Sequence, residues 1–200
     1  MIKNIIFDFG DIFINLDKEI IFREIRKYGK PILTPELVTI GNAFEVGQIS
    51  SETFIDGLQS YFPKASAQDI IAIWNGMLLD FPDYRLNFIE SLAKENEYRL
   101  FLLSNNNTLH VQEAIKIMED SKFQRFKNCF EQFYLSHEIH LRKPNSDSYK
   151  FVLEKNALDP IETFFVDDTL ENTESASKLG LKTWNLIVGQ EDIIQLKSKL

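Results

Sequence analysis

Four polar groups stand where apolar runs end or soon after. Asp8 lies within Phe7-Asp8-Phe9-Gly10-Asp11, Ser104-Asn105 closes a second run, Arg142-Lys143-Pro144 comes after a third, and Asp167-Asp168 closes a fourth. If the runs are strands of one sheet, these groups meet at one edge. Carboxylates gathered there are costly unless they share a cation or a proton. An all-oxygen donor set suits Mg²⁺. Lys143 and Ser104-Asn105 supply the donors that a phosphate needs. A carboxylate, a metal, a lysine and a hydroxyl together make phosphoryl transfer the natural reaction class. Asp8 would attack phosphorus, and water would hydrolyse the resulting aspartyl-phosphate.

Each group has a plainer reading. A lone Asp after a strand is ordinarily a turn residue or a helix N-cap. Asp8 departs from that reading because partners recur at the other strand ends. Ser104-Asn105-Asn106-Asn107 also reads as a turn and N-cap, and an N-cap itself turns backbone N–H groups toward a phosphate. His137 and His140 are spaced for one helix face, but they lie in a loop-like stretch without a third ligand and read as solvated. His110 faces either the site or solvent. Trp74, at helical spacing from Ile70 and Ile71, reads as core. Phe44-Glu45 is the best candidate for substrate contact outside the strand ends, through Glu45. Glu191, Lys197 and Lys199 read as the solvated face of a C-terminal helix.

The elements that must position these residues are legible. Asn4–Phe9, Tyr98–Leu103, Gln132–Leu135, Thr163–Val166 and Lys182–Ile187 are short, nearly continuous apolar runs. Such runs suit strands buried on both faces of a parallel sheet. Helical patterns at Asn107–Met118, Ser146–Glu154 and Leu170–Leu179 separate the later ones, with Gly180 at a plausible C′ position. This alternation predicts an α/β fold, a doubly wound, Rossmann-like parallel sheet. Residues 17–95 hold only helix signals: Thr34-Pro35 as N-cap and first residue, Ser66 before Ile70 and Trp74, and Asp83 before Leu86, Ile89 and Leu92. One helix suffices for a crossover. The surplus predicts a small α-helical cap at 16–80 over a core formed by 1–15 and 81–200. Ligands of open α/β sheets bind outside the carboxyl ends of the strands, where such a cap would roof the site.

The chain has 200 residues, 44% of them hydrophobic, and 17 Phe, which predicts one aromatic-rich core with an insertion. A net charge of −8 argues against a nucleic-acid partner. It does not exclude a phosphorylated one, since a divalent cation and one lysine can outweigh it locally. The single Cys129 forbids an intrachain disulfide and fits a reducing compartment. No signal-peptide pattern and no run of about 20 apolar residues is present. The expectation is a cytoplasmic protein with no membrane partner.

Phe7-Asp8-Phe9-Gly10, Leu103-Ser104-Asn105, Lys143-Pro144 and Val166-Asp167-Asp168 with Asn172 resemble, in order, the four motifs of the haloacid dehalogenase (HAD) superfamily. The likeness covers nearly the whole chain, and the helical insertion is similar to the cap of its C1-capped members. The stretches at 43–50 and 103–110 are most similar to the branch of sugar-1-phosphate phosphatases, such as α-glucose-1-phosphate phosphatase. The resemblance implies Asp8 as nucleophile and metal ligand. It implies Ser104 and Asn105 as phosphoryl holders and Lys143 as partner of Asp8 and the phosphate. Mg²⁺ would be held by Asp8, the Gly10 backbone carbonyl and Asp168, with Asp167 a ligand or just behind one.

One position departs from the pattern. Most phosphatases of the superfamily carry an acid/base Asp two residues after the nucleophile, and here that residue is Gly10. General acid–base help is worth about 10²–10⁴ in rate. The expectation is therefore an Mg²⁺-dependent phosphatase of a small phosphorylated metabolite such as a sugar phosphate, slow on unactivated esters. Two alternatives share these residues. A metal-free 2-haloacid dehalogenase would use the same Asp8, but has no need of the acidic pair. A phosphate-binding or regulatory protein of low activity would fit the missing acid.

Overall fold

The computed structural model describes residues 1–28 and 34–200. Five parallel strands form one sheet: β1 (Asn4–Phe7), β2 (Arg99–Ser104), β3 (Gln132–Leu135), β4 (Thr163–Asp167) and β5 (Lys182–Asn185). Their order is β3-β2-β1-β4-β5, so β1 is central and the chain winds outward from it in both directions. In register, Ile6 lies between Phe101 and Phe165.

Strand alternation sends the apolar residues to two cores. Ile5, Phe7, Leu102 and Val166 pack on α5 (Asp83–Glu95), α6 (Thr108–Met118) and α7 (Asp120–Lys127). Ile6, Phe101, Leu103 and Phe165 pack on α9 (Ser146–Lys155) and α10 (Leu170–Ser177). The expected doubly wound α/β sheet is therefore present. Many of the Phe residues share the first core: Phe13 meets Phe126 at 4.9 Å and Phe7 at 5.6 Å, each between ring centroids.

The strand ends differ slightly from the sequence reading. β1 stops at Phe7, although the Asp8 N–H still bonds the Val166 carbonyl at 2.9 Å. The backbone then turns, with Asp11 at φ +54°. β2 runs one residue further, so Ser104 pairs with Leu135 inside the ladder. Asp167 likewise belongs to β4 rather than following it.

Between β1 and α5 lie α1 (Ile20–Lys27), α2 (Pro35–Glu45), α3 (Ser51–Tyr61) and α4 (Ala67–Asn75). Thr34 and Ser66 cap their helices as expected, Ser66 in a capping box with Asp69. Asp83 does not: Pro82 holds the cap position, and Asp83 is the first helical residue, paired with Lys122 at 2.9 Å. Phe44 stacks on Phe54 at 4.3 Å, and Trp74 packs on Phe54 at 4.7 Å. Chain entering and leaving these helices runs side by side, through an antiparallel bridge of Leu16 with Leu78. Asn15 N–H to Asp80 O and Asp17 N–H to Met77 O extend this pairing at 2.9 and 2.8 Å.

Two expectations near the C-terminus change. α10 ends at Ser177, which moves Gly180 (φ +93°) beyond the C′ position. The C-terminal helix is a 3-10 turn, Ile193–Ser198. Glu191 precedes it and accepts from Trp184 Nε1 at 3.0 Å and from Lys199 at 2.6 Å, so it fastens the turn to the sheet. Among the described residues no helix is long and apolar enough to cross a membrane.

Candidate active site

Lys143 is 1% exposed, and a buried ammonium is tolerated only when paired. Its Nζ donates to Asp8 Oδ1 at 2.7 Å and to Asp167 Oδ2 at 2.6 Å. Burial alone would lower the Lys143 pKa, but Asp167 and Asp8 outweigh it and hold the group above its ordinary value. The Asn105 amide fixes this loop at both ends: its Oδ1 accepts from the Lys143 N–H and its Nδ2 donates to the Lys143 carbonyl, each at 2.9 Å.

The two adjacent aspartates have different surroundings. Asp167 is fully buried, and both of its oxygens are saturated. Besides Lys143, it accepts from Asn172 Nδ2 at 3.0 Å and from the Thr169 N–H at 2.8 Å. Asp168 is partly open, and its Oδ2 is bonded by Lys18. Asp8, Asp167 and Asp168 each bring one oxygen within 4.8 Å of the others. Burial is the main cause that raises the Asp8 pKa, to about 7; Lys143 opposes the rise, and Asp167 and Asp168 add to it. Burial raises Asp168 too, against the pull of Lys18. Such a cluster of oxygen donors, short of positive charge, has the chemistry of a divalent-cation site.

Gly10 is the point where the backbone leaves the site. A Cβ there would stand 2.7 Å from Leu16 Cδ1 and 4.0 Å from Asp8 Oδ2, so Leu16 covers the space a longer side chain would take. Asp11, the nearest other carboxylate, turns away from that space. Its Oδ1 accepts from the Leu16 N–H, and its Oδ2 pairs with Lys18, both at 2.9 Å.

Above the strand ends lies a cavity of about 100 Å³. Ile14, Leu16, Trp74 and Met77 give it an apolar wall; Glu45, Ser104, Asn106 and His110 give it a polar one. Ser104 is buried, and its hydroxyl makes only a 3.5 Å contact with the Asn105 carbonyl. Glu45 is ion-paired with Arg142 at 2.9 Å; burial still raises its pKa, and Arg142 opposes that. His110 stacks on Trp74 at 5.0 Å, with Nε2 3.0 Å from the Trp74 carbonyl and Nδ1 3.1 Å from Asn107 Nδ2. Asn107 Oδ1 is engaged by the His110 N–H and Trp74 Nε1, so its amide presents N–H to the ring. That makes His110 the neutral tautomer protonated on Nε2. Burial lowers its pKa to about 4.

The C-terminal end of α2 is tied down at several points. Ser136 Oγ lies 2.5 Å from the Glu45 carbonyl, and His140 Nδ1 donates to the Val46 carbonyl at 2.8 Å. Gly47, at φ +67°, passes so close to α8 (Ser136–Ile139) that a Cβ would fall 2.3 Å from the His137 carbonyl. His140 is exposed, as its context suggests, and this bond makes it a fastening as well. The structure brings Asp8, Lys143, Ser104, Asn105, Asp167 and Asp168 together at one edge and sets Gly10 and Glu45 in the adjoining cavity. Sequence reasoning missed Lys18 and Leu16 and gave Arg142 no role of its own. Arg142 adjoins Lys143 in sequence, but the other two carry no local signal.

The sequence matches the haloacid dehalogenase-like hydrolase family over residues 5–186. The chain belongs to that family. It is 26% identical over 190 residues to a D-ribitol-5-phosphate phosphatase of Bacteroides thetaiotaomicron, with 92% of this chain and 91% of the relative aligned. Its fold superposes on a HAD family enzyme from the same organism with a TM-score of 0.82, at 33% identity and 96% coverage of both chains. That enzyme is an aspartate-to-alanine mutant in complex with magnesium and inorganic phosphate. A HAD-like hydrolase from Porphyromonas gingivalis gives a TM-score of 0.80 at 28% identity, covering 99% of this chain and 97% of that one.

Proposed function

We propose that this hydrolase removes phosphate from a small phosphorylated polyol or sugar, with Mg²⁺ as cofactor and Asp8 as nucleophile. The observation that carries the reading is the buried Lys143 joining Asp8 to Asp167 beneath the cavity, with Asp168 beside them. The likeness to a D-ribitol-5-phosphate phosphatase supports a compact polyol phosphate. It lends no support to a sugar-1-phosphate in particular.

In this reading an Asp8 oxygen attacks phosphorus, the bond from phosphorus to the ester oxygen breaks, and the alcohol leaves with a proton taken from solvent water. A water molecule then attacks phosphorus and returns a proton to solvent, the bond to Asp8 breaks, and phosphate leaves. Lys143 holds Asp8 in place and offers positive charge to the phosphoryl oxygens. Asn105 and Asp167 hold Lys143, and the Ser104 hydroxyl and the Asn105 backbone receive the phosphoryl group. Asp8, Asp168 and the Gly10 carbonyl would hold Mg²⁺; Asp167, its oxygens saturated by N–H donors, stands behind them. When bound, the ion supplies charge that offsets the buried carboxylates and the phosphate. Helices α1–α4, within residues 16–80, form the cap, and Glu45 meets the hydroxyl groups of the substrate.

Gly10 under Leu16 supports slow turnover of poor leaving groups, because no carboxylate stands at that point. Phosphate release from a panel of polyol and sugar phosphates tests the reading. Activity should vanish with a chelator and return with Mg²⁺. Chelator-resistant hydrolysis, or halide release from 2-haloacids in its place, would overturn it.

A further inference from the structure

Lys18 stands in the linker that carries the chain from Gly10 to α1. Its Nζ bridges two carboxylates, Asp11 Oδ2 at 2.9 Å and Asp168 Oδ2. Asp11 is buried and Asp168 half-buried, with side chains only 7% and 8% exposed, while Lys18 itself is 47% exposed. Asp11 is set for this contact by its left-handed backbone and by its bond from the Leu16 N–H. Leu16 in turn pairs with Leu78 on the second linker and covers Gly10. One ammonium therefore connects the outermost carboxylate of the acidic cluster to the linker between sheet and helices.

We infer that Lys18 is a metal-responsive latch: it neutralises Asp168 in the metal-free chain and yields it to the divalent cation, withdrawing onto Asp11. This rests on the proposed Mg²⁺ site. A divalent ion on Asp168 and an ammonium on the same carboxylate repel each other at short range. Asp11 gives Lys18 a second partner already in contact, so the exchange leaves no unpaired charge. Cation binding thereby competes with Lys18 and reports to the linker, where Lys18, Leu16 and the Leu78 bridge move together. Lys18 is a positioning residue here, touching neither phosphate nor the reacting oxygen of Asp8.

The test is Mg²⁺ calorimetry on chelator-stripped protein without substrate, for wild type, Lys18→Met, Lys18→Gln and Lys27→Met. Lys27 is a control of equal charge, exposed and paired with Glu24 on α1. Removing Lys18 should tighten Mg²⁺ at least threefold in both variants, while Lys27→Met stays within twofold of wild type. Mg²⁺ should also alter amide hydrogen exchange across residues 16–20 in wild type and leave it unchanged in Lys18→Met. Less than threefold tightening, equal tightening in Lys27→Met, or an unresponsive wild-type linker overturns the latch. If wild type binds no Mg²⁺ at all, the metal site itself fails and the latch with it.

Discussion

Replacing Lys143 by Met removes the one cation between Asp8 and Asp167 and keeps most of the side-chain volume. Lys143 is 1% exposed, and the two carboxylates it bridges are buried, so water cannot take its place. Breaking a buried ion pair from one side costs about 3–5 kcal/mol. In a chain of this size each kcal/mol moves Tm by roughly 2–4 °C, so a loss on the order of 10 °C is expected in chelator. The pH dependence has a defined sign. Burial already holds Asp8 above its unfolded value, at about 7, and Lys143 is the group that opposes the rise. Without Lys143 the folded-state pKa climbs further. A raised carboxyl loses stability as pH increases from the unfolded pKa to the folded one, so the variant keeps losing stability above pH 7, where wild type has stopped. The deficit should widen between pH 6.5 and 8.5, by at most about 1.4 kcal/mol per pH unit from this group. Saturating Mg²⁺ should recover part of it, about 2.7 kcal/mol at a hundred times Kd. Urea melts at the two pH values, with and without Mg²⁺, measure all of this. A Lys143→Met protein as stable as wild type at pH 8.5 in chelator would refute the reasoning.

Gly10→Asp should raise turnover of alkyl phosphates only as far as Leu16 can swing aside, and Gly10→Asp with Leu16→Ala should exceed it, toward the 10²–10⁴ typical of acid–base help, roughly; steady-state kinetics ranks the three proteins, and a double variant no faster than wild type would contradict the account of the missing acid. His110 is held neutral with a pKa of about 4 against an unfolded value near 6.5, so its contribution is present above pH 6.5 and is lost as pH falls toward 4, about 3 kcal/mol across that window. Denaturation of His110→Gln should show a correspondingly flatter acid limb than wild type, and parallel limbs would count against it.

Much of this site was legible because its residues sit next to recognisable strands. Asp8, Ser104 and Asp167-Asp168 each close an apolar run, and the parallel sheet aligns those closures. The division of labour between Asp167 and Asp168 was not legible: two identical neighbours differ because strand alternation buries one against Asn172 and leaves the other beside Lys18. Asn105 reads as a phosphate donor, yet its side chain fastens the Lys143 loop, a contact across 38 positions. Lys18 and Asp168 are 150 positions apart, and nothing local marks the lysine. Leu16 looks like any linker leucine until the backbone at Gly10 folds beneath it. Capping chemistry transferred well at Thr34 and Ser66, where the signal is confined to a few residues. It failed at Asp83, one position into its helix, and at Gly180, which lies beyond the C′ position because α10 ends at Ser177.

The central claim is that phosphate passes through Asp8. Acid quenching during turnover of a polyol phosphate with Mg²⁺, followed by peptide mapping, locates the covalent group. The account predicts a phosphoryl group on the peptide containing Asp8, and neither label nor turnover in Asp8→Asn. Turnover that survives in Asp8→Asn, or a label on any other residue, would contradict it.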